Sequence, residues 1–297
     1  MREYNVSAGE VLLACENVKK VYGDFVLDCS VALKKGCVTG LIGKNGAGKT
    51  TLFKTLLGIV RADGGQIFWE GKQVDCLDKG LRDQIGVVLS DSFFSGFLYV
   101  SDLAAILEQM YPSFDKKEFL GMCAKHSIPL KKAVKDFSTG MKAKLKVLTA
   151  LSHKTKMLIL DEPTSGLDVI ARDEILQLLR EYMEEEGRVI LISSHISTDL
   201  EGLCDDIYMI DGGEIVLHED TDVLLGEYGV LKVTEEQLKT MDRSYLLKIK
   251  EEPFGYQALT DQKRFYQENY PQMAVEKGSI DNVILLMVSG KDIDMNL

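Results

Sequence analysis

Residues 43–51, Gly43-Lys44-Asn45-Gly46-Ala47-Gly48-Lys49-Thr50-Thr51, follow the pattern Gly-x-x-x-x-Gly-Lys-Thr, whose residue types suit gripping a phosphate chain. Glycines let successive backbone N–H groups converge on phosphate oxygens without Cβ clashes, and a helix N-terminus adds the positive end of its dipole. Lys49 can reach the β- and γ-phosphates of a nucleotide, and the Thr50 hydroxyl is placed to ligate Mg²⁺. A second set stands at Asp161-Glu162-Pro163, behind the apolar run Met157-Leu158-Ile159-Leu160. One carboxylate there can hold Mg²⁺, directly or through water, while the other acts as a general base on an attacking water. His195 closes the run Val189-Ile190-Leu191-Ile192-Ser193-Ser194, where a contact with γ-phosphate or the attacking water is expected. Ser138 is an N-cap candidate with Gly140 beside it, so an anion could meet the free N–H groups of that helix start.

These side chains need elements to position them. Val38-Thr39-Gly40-Leu41-Ile42 reads as a buried strand running into the glycine turn, and Leu52-Phe53-Lys54-Thr55-Leu56-Leu57 has helical apolar spacing. Strand, turn and helix in that order are the context that makes the motif a phosphate loop. Ile85-Gly86-Val87-Val88-Leu89 reads as another buried strand, and it places Ser90-Asp91-Ser92 where strand ends meet ligands in α/β sheets. Upstream, Val11–Cys15 and Phe25–Leu33 read as strands separated by a turn at Tyr22-Gly23-Asp24. The Tyr22 ring could stack on an adenine base or lie at a solvent edge. From Ser101 to about Lys135 the pattern is helical, with Leu103, Ile106, Leu107 and Met110 on one face and a stop at Pro112. Leu145, Leu148 and Leu151 give the helix after Ser138 its apolar face, Val169 to Glu185 reads as a long amphipathic helix, and Asp211-Gly212-Gly213 turns a hairpin. Beyond Tyr228 the pattern alternates strand-like pieces (Leu246–Ile249, Val283–Val288) with helical ones (Thr234–Met241, Thr260–Asn269), which reads as a small α/β appendage. His126, His153 and His218 have no such context and read as ordinary side chains.

Composition narrows the class. The 297 residues provide material for one large or two ordinary domains, and 45% hydrophobic with 27% charged residues is usual for a globular protein. A net charge of −11 argues against a broad nucleic-acid footprint. The six cysteines (15, 29, 37, 76, 123 and 204) are scattered without a C-x-x-C pair, which fits reduced thiols better than a disulfide framework or a zinc site. Met1-Arg2-Glu3-Tyr4-Asn5 lacks a signal-peptide apolar region, and no apolar run approaches the ~20 residues needed to span a bilayer. A spanning part, if the protein works at a membrane, must come from another chain.

Taken together and in order, these motifs resemble those of the ATP-binding cassette (ABC) ATPases that power membrane transporters. The match runs through residues 10–228. Gly43–Thr51 is similar to Walker A, Leu158–Asp161 to Walker B with Glu162 as catalytic glutamate, Ser165–Asp168 to the D-loop, His195 to the switch histidine and Tyr22 to the adenine-stacking aromatic. Phe137-Ser138-Thr139-Gly140-Met141 falls where the family's signature belongs, and this variant is similar to that of ABC-2-type exporters, which include antibiotic-resistance and lantibiotic-immunity pumps. The resemblance implies an α/β P-loop NTPase of ABC type. Its RecA-like core would carry an antiparallel β subdomain and an inserted helical subdomain (about 91–150) within residues 1–228, with an accessory α/β region over 229–297. It also implies ATP and Mg²⁺, catalytic roles for Glu162, His195 and Lys49, and ATP contacts from Tyr22 and from Gly43, Lys44, Asn45, Gly46, Ala47, Gly48, Lys49, Thr50 and Thr51. Thr50, Asp161 and Ser90 would serve the metal.

The family pattern further implies a head-to-tail dimer, of two copies or two related chains, in which Ser138, Thr139, Gly140, Met141 and Asp168 act on the partner's nucleotide. An integral membrane permease would be driven through residues 90–99 and the helical subdomain, placing the chain in the cytoplasm on the inner face of the membrane. Nucleic acid is not implied as a partner. Two positions depart from the pattern. Ser90 or Asp91 stands where the family has its Q-loop glutamine, and Thr139 and Met141 replace a signature glycine and glutamine. Two other readings stand beside this one: a nucleotide-sensing regulatory protein with little turnover, and a non-transport ABC ATPase of translation or DNA repair. The second lacks its usual features, tandem cassettes or long inserted coiled coils.

Overall fold

The structure is a computed structural model that describes residues 9–74, 79–90 and 94–293. Met1 to Asn5, Cys76, Asp91 and Ser92 lie outside the described residues.

The chain opens with an antiparallel wing: β1 (Val11–Tyr22), β2 (Phe25–Lys34), then, after the phosphate loop, β4 (Gly64–Trp69) and β5 (Lys72–Val74). The β1–β2 hairpin turns directly after Tyr22, which pairs with Phe25. The turn expected at Tyr22 therefore begins one residue later, and the strand expected to end at Cys15 continues through an irregularity between Cys15 and Val18. There Asn17 takes a φ of 47°, and the extra residue re-aims the strand without ending it.

The centre of the molecule is parallel. β3 (Val38–Ile42) leads into α1 (Lys49–Leu56); β6 (Ile85–Val88) follows the short α2 (Lys79–Arg82). Helices α3 (Val100–Met110), α4 (Lys116–Lys125) and α5 (Thr139–Ala150) then lead to β7 (Met157–Asp161), α6 (Val169–Met183), β8 (Val189–Ser193), α7 (Ser197–Glu201) and the hairpin β9 (Asp206–Asp211)–β10 (Glu214–Asp220). These strands form one ten-stranded sheet in the order β5-β4-β1-β2-β10-β9-β3-β8-β7-β6. Strands β9, β3, β8, β7 and β6 run parallel. Every residue of β3, β7 and β8 is buried, as expected for strands covered on both faces. The polar residues that follow β3, β6, β7 and β8 consequently emerge on one edge of the sheet, the edge where open α/β sheets bind ligands.

Between β6 and β7, α3 buries Val100, Leu103, Ala104 and Leu107 and stops at Met110, two residues before Pro112. The expected stripe of Leu103, Ile106, Leu107 and Met110 splits, because Ile106 and Met110 are 42% and 61% exposed. At a 100° step Ile106 lies on the far side of Leu103 from the buried Val100, Ala104 and Leu107, and Met110 is the last residue of the helix. Asp115 caps α4 by accepting from the Glu118 N–H (2.9 Å).

After α8 (Thr221–Gly226) a second sheet begins with β11 (Gly229–Val233), followed by α9 (Glu235–Thr240), β12 (Leu246–Glu252), β13 (Gly255–Thr260), α10 (Lys263–Asn269), β14 (Ala274–Lys277) and α11 (Ile280–Ser289). Its order is β12-β13-β11-β14, all antiparallel. The segment Val283–Val288, expected as strand-like, lies in α11. Ser279 starts that helix by accepting from the Asn282 N–H (3.2 Å), and Ile280, Val283 and Leu286 make the buried stripe. A capped start with apolar residues three apart outweighs the strand preference of valine and isoleucine. One side of this sheet, with Val230, Leu259 and α11, packs into the same core as Leu145, Leu160 and Ile192; the other encloses Leu231, Leu238, Ala258 and Tyr266.

Candidate active site

The loop after β3 is fixed from both sides. A Cβ at Gly43 would stand 2.3 Å from the Ile210 carbonyl oxygen, so only glycine lets the loop lie against β9. Gly48, with φ 116°, takes a left-handed turn into α1, and no side chain caps that helix. The first-turn N–H groups of α1 are thereby left facing outward, as an anion site requires. Lys49 is buried at its stem and its Nζ donates to the Gly43 carbonyl (2.7 Å), folding the loop around the ammonium. Lys44 pairs with Asp211 (2.9 Å) and ties the loop to the β9–β10 hairpin. The loop wraps a cavity of about 350 Å³, lined by Lys44, Asn45, Gly46, Gly48, Lys49, Thr50 and Thr51 together with Phe25, Ser90, Asp161 and Glu162.

Three hydroxyls converge on one carboxylate. Asp161, 1% exposed, accepts from Thr50 Oγ1 (2.7 Å) and Ser90 Oγ (2.9 Å) through Oδ2, and from Ser193 Oγ (2.7 Å) through Oδ1. Such a set of bonds keeps a buried carboxylate from being left unpaired. Asp161 and Ser193 are a register pair of β7 and β8, Ser90 follows β6 by two residues, and Thr50 sits in the first turn of α1 after β3 and its loop. Ser90 reaches the carboxylate that the sequence assigned to the metal. Among the described residues no cluster of three His, Cys, Asp or Glu side chains could hold a metal ion, so a cation here would rely on hydroxyl and carboxylate oxygens. Hard oxygen donors and a buried charge suit Mg²⁺, which keeps few protein ligands beside phosphate and water.

Glu162 lies one residue further along and differs in kind. Its φ is 53°, in the left-handed region that costs a non-glycine residue about 1–3 kcal/mol. Ser193 holds it there, since the Glu162 N–H donates to both the Ser193 carbonyl (3.2 Å) and its hydroxyl (3.1 Å). The Glu162 carboxylate accepts from the His195 ring at Nδ1 (2.5 Å) and from the His195 N–H (3.1 Å). A carboxylate only accepts, so Nδ1 carries the proton and Nε2 is the ring's other polar atom.

Sequence reasoning missed Ser193 and Phe25. Ser193 is the one polar residue of β8, at its last position, and Ser194 follows it. Phe25 lines the cavity at the loop, its ring beside Gly48, whereas Tyr22 is 48% exposed, lies near Lys20 Nζ (5.4 Å) and does not line that cavity.

Ser138, Gly140, Met141 and Asp168 also do not line the phosphate-loop cavity. Ser138 caps α5 by accepting from the Met141 N–H (3.2 Å), and Asp168 caps α6 by accepting from the Ala171 N–H (2.9 Å). The two helix starts touch, for a Cβ on Gly140 would lie 2.8 Å from that of Ala171. Buried Lys144 locks them by pairing with Glu174 (2.6 Å). Thr139 alone of this group lines a neighbouring cavity, of about 690 Å³, shared with Asn45, Ser90, Asp161, Glu162 and His195.

A parallel sheet whose phosphate loop stands beside a buried aspartate and a histidine-bonded glutamate defines a P-loop nucleotide hydrolase. Comparison with known proteins carries the assignment further. Residues 26–165 match the ABC transporter family. The ABC transporter ATP-binding protein YtrB of Bacillus subtilis (strain 168) is 32% identical over 211 residues, 71% of this chain and 72% of that protein. The lantibiotic transport ATP-binding protein SrtF of Streptococcus pyogenes is 35% identical over 220 residues, 71% of this chain and 92% of that protein. A dimeric ATP-binding cassette solved in a post-hydrolysis state with ADP and Pi superposes with a TM-score of 0.63 at 20% identity, over 71% of this chain and 99% of that one. The chain belongs to the ABC transporter family, as an ATP-binding ATPase of the cassette fold. No helix among the described residues is long and apolar enough to cross a membrane.

Proposed function

We propose that the chain hydrolyses ATP at the edge formed by β3, β6, β7 and β8, and thereby drives a separate membrane permease of the ABC-2 exporter type. The observation that supports this most strongly is the juxtaposition of Lys49, Asp161 and Glu162 around one cavity, with His195 bonded to the Glu162 carboxylate. In this reading Gly43–Thr51 binds the phosphates through backbone N–H groups and Lys49, while Thr50, Asp161 and Ser90 would hold Mg²⁺. The cation, when bound, neutralises charge on the phosphate oxygens. Glu162 orients a water and takes its proton, and His195 fixes the carboxylate while its Nε2 faces the γ-phosphate. Tyr22 stacks on the adenine base.

The dimer is part of the proposal. Ser138, Thr139, Gly140, Met141 and Asp168 belong to two helix starts that pack together; of them only Thr139 lines a cavity that a residue of its own chain's phosphate loop, Asn45, also lines. A head-to-tail partner would bring them to the nucleotide held by the other subunit. ATP then closes the interface, and loss of phosphate reopens it. Exposed Phe97, Tyr99, Ile106 and Met110, on and before α3, offer the apolar surface on which the permease docks. The chain would therefore sit in the cytoplasm at the inner face of the membrane. Drugs or peptide antibiotics are the cargo class proposed, by analogy with the lantibiotic relative, and the cargo pocket lies in the permease.

Nucleotide titration and phosphate release from the full-length chain, with and without the detergent-solubilised permease, test the reading. Lys49→Ala is expected to weaken ATP binding about tenfold or more, the loss of a charge-assisted contact. Unchanged affinity in that variant would overturn the loop assignment. Tight ATP binding with no hydrolysis in either setting would favour a nucleotide-sensing regulatory subunit.

A further inference from the structure

The accessory region reaches the hydrolysis site through a five-residue helix. α7 begins two residues after His195, and the turn between them is tight, with the Ile196 N–H donating to Ser194 Oγ (3.0 Å). The position of α7 therefore sets where the His195 ring meets Glu162. One side of α7 is held by the catalytic domain. Asp199, 1% exposed, accepts from Thr164 Oγ1 (2.7 Å) and pairs with Arg172 Nε (2.5 Å), and Arg172 Nη2 also donates to Thr198 Oγ1 (2.9 Å). Thr164 follows Glu162 by two residues, so this side ties α7 to the segment that carries the proposed base.

The other side of α7 is held by residues 84 and 79 positions away in sequence. Ser197, 8% exposed, donates its hydroxyl to Asp281 Oδ2 (2.8 Å), and Glu201 Oε1 accepts from the Ile280 N–H (3.2 Å). Both partners lie in the first turn of α11, which packs by Ile280, Val283 and Leu286 into the core shared with the second sheet. α7 is thus clamped between the segment after Glu162 and the start of α11. Five residues make barely more than one turn and have little stability of their own, so these outside bonds decide where the helix sits.

We infer that Asp281 is a positioning residue for ATP hydrolysis: by holding Ser197 it fixes α7, and through α7 it sets His195 against Glu162. The inference rests on the proposed roles of those two residues. It gives the accessory region a part in the rate of hydrolysis and none in ATP affinity, because none of the bonds that hold α7 in place goes to the phosphate loop.

The test uses the full-length chain, with single-turnover hydrolysis and ATP titration for each variant. Asp281→Ala lowers the hydrolysis rate about threefold or more while ATP affinity stays within about twofold, the range of coupling carried by such contacts. Ser197→Ala gives the same loss, and the double variant is no slower than either. Asp281→Asn, which keeps an oxygen able to accept from Ser197, recovers most of the rate. In a His195→Ala background, Asp281→Ala has no further effect. Unchanged rates in Asp281→Ala and Ser197→Ala, additive losses, an Asn variant as slow as Ala, or the same loss without His195 would each overturn the inference. Should Asp281→Ala not fold, Ser197→Ala carries the test from the catalytic side. A His195→Ala protein that hydrolyses ATP at the wild-type rate sinks the underlying reading instead, and is distinguishable from failure of the Asp281 variants alone.

Discussion

The nucleotide edge of the large sheet and the outer core of the second sheet hold their side chains by different means. At the edge, the buried Asp161 carboxylate is shared by Thr50, Ser90 and Ser193, and Glu162 is kept in a left-handed backbone by the same Ser193. In the core against the second sheet, Tyr266 of α10 is wholly buried, its ring meets Phe265 edge-on (5.1 Å between centroids), and its hydroxyl donates once, to the Asp242 carbonyl (2.9 Å). Directional bonds fix atoms to tenths of an ångström but fail when one donor is lost. Shape-filling packing tolerates the loss of a polar atom and positions nothing finely. Chemistry sits where the first kind dominates.

Substitutions can break or sharpen that contrast. The largest effect is expected at His195→Ala, where turnover should fall about 10²-fold or more because the Glu162 carboxylate loses the partner that orients it; single-turnover phosphate release measures it. Ser193→Ala comes next. It leaves Asp161 Oδ1 without its donor and weakens the hold on Glu162, so chemical denaturation should show a loss of about 1–3 kcal/mol together with a slower turnover. A stable Ser193→Ala protein with a normal rate would remove the distinction between the two regions. Tyr266→Phe should cost only about 1 kcal/mol by the same measurement, with ATP hydrolysis unchanged, since one hydrogen bond is lost and the ring remains.

The sequence displayed the polar edge more clearly than the packed region, for a physical reason. Gly43–Thr51, Asp161-Glu162 and His195 are costly residue types at strand ends, so their order and spacing carry information, and the strands that position them are unbroken apolar runs. Ser193 was hidden because one of two consecutive serines at the end of such a run looks like any satisfied hydroxyl; only pairing of β7 with β8 places it opposite Asp161. Phe25 was hidden because its approach to Gly48 depends on how the antiparallel wing folds over the loop. In the second sheet, Val283–Val288 is rich in β-branched and apolar residues that suit a strand and a buried helix equally well. The Ser279 cap and the burial of every third residue decided for a helix. The split stripe on α3 has the same origin, since periodicity shows which residues share a face but not how wide the covering is.

The most direct measurement is made on Glu162→Gln with Mg²⁺ and ATP, following the size of the assembly and the nucleotide bound to it together. The proposed base would be gone while the phosphate loop, Asp161 and the Ser138 helix start stay intact. The account predicts a stable dimer that retains unhydrolysed ATP, with turnover reduced about 10²-fold or more. Wild-type hydrolysis by this variant, or a monomer at saturating ATP, would contradict it.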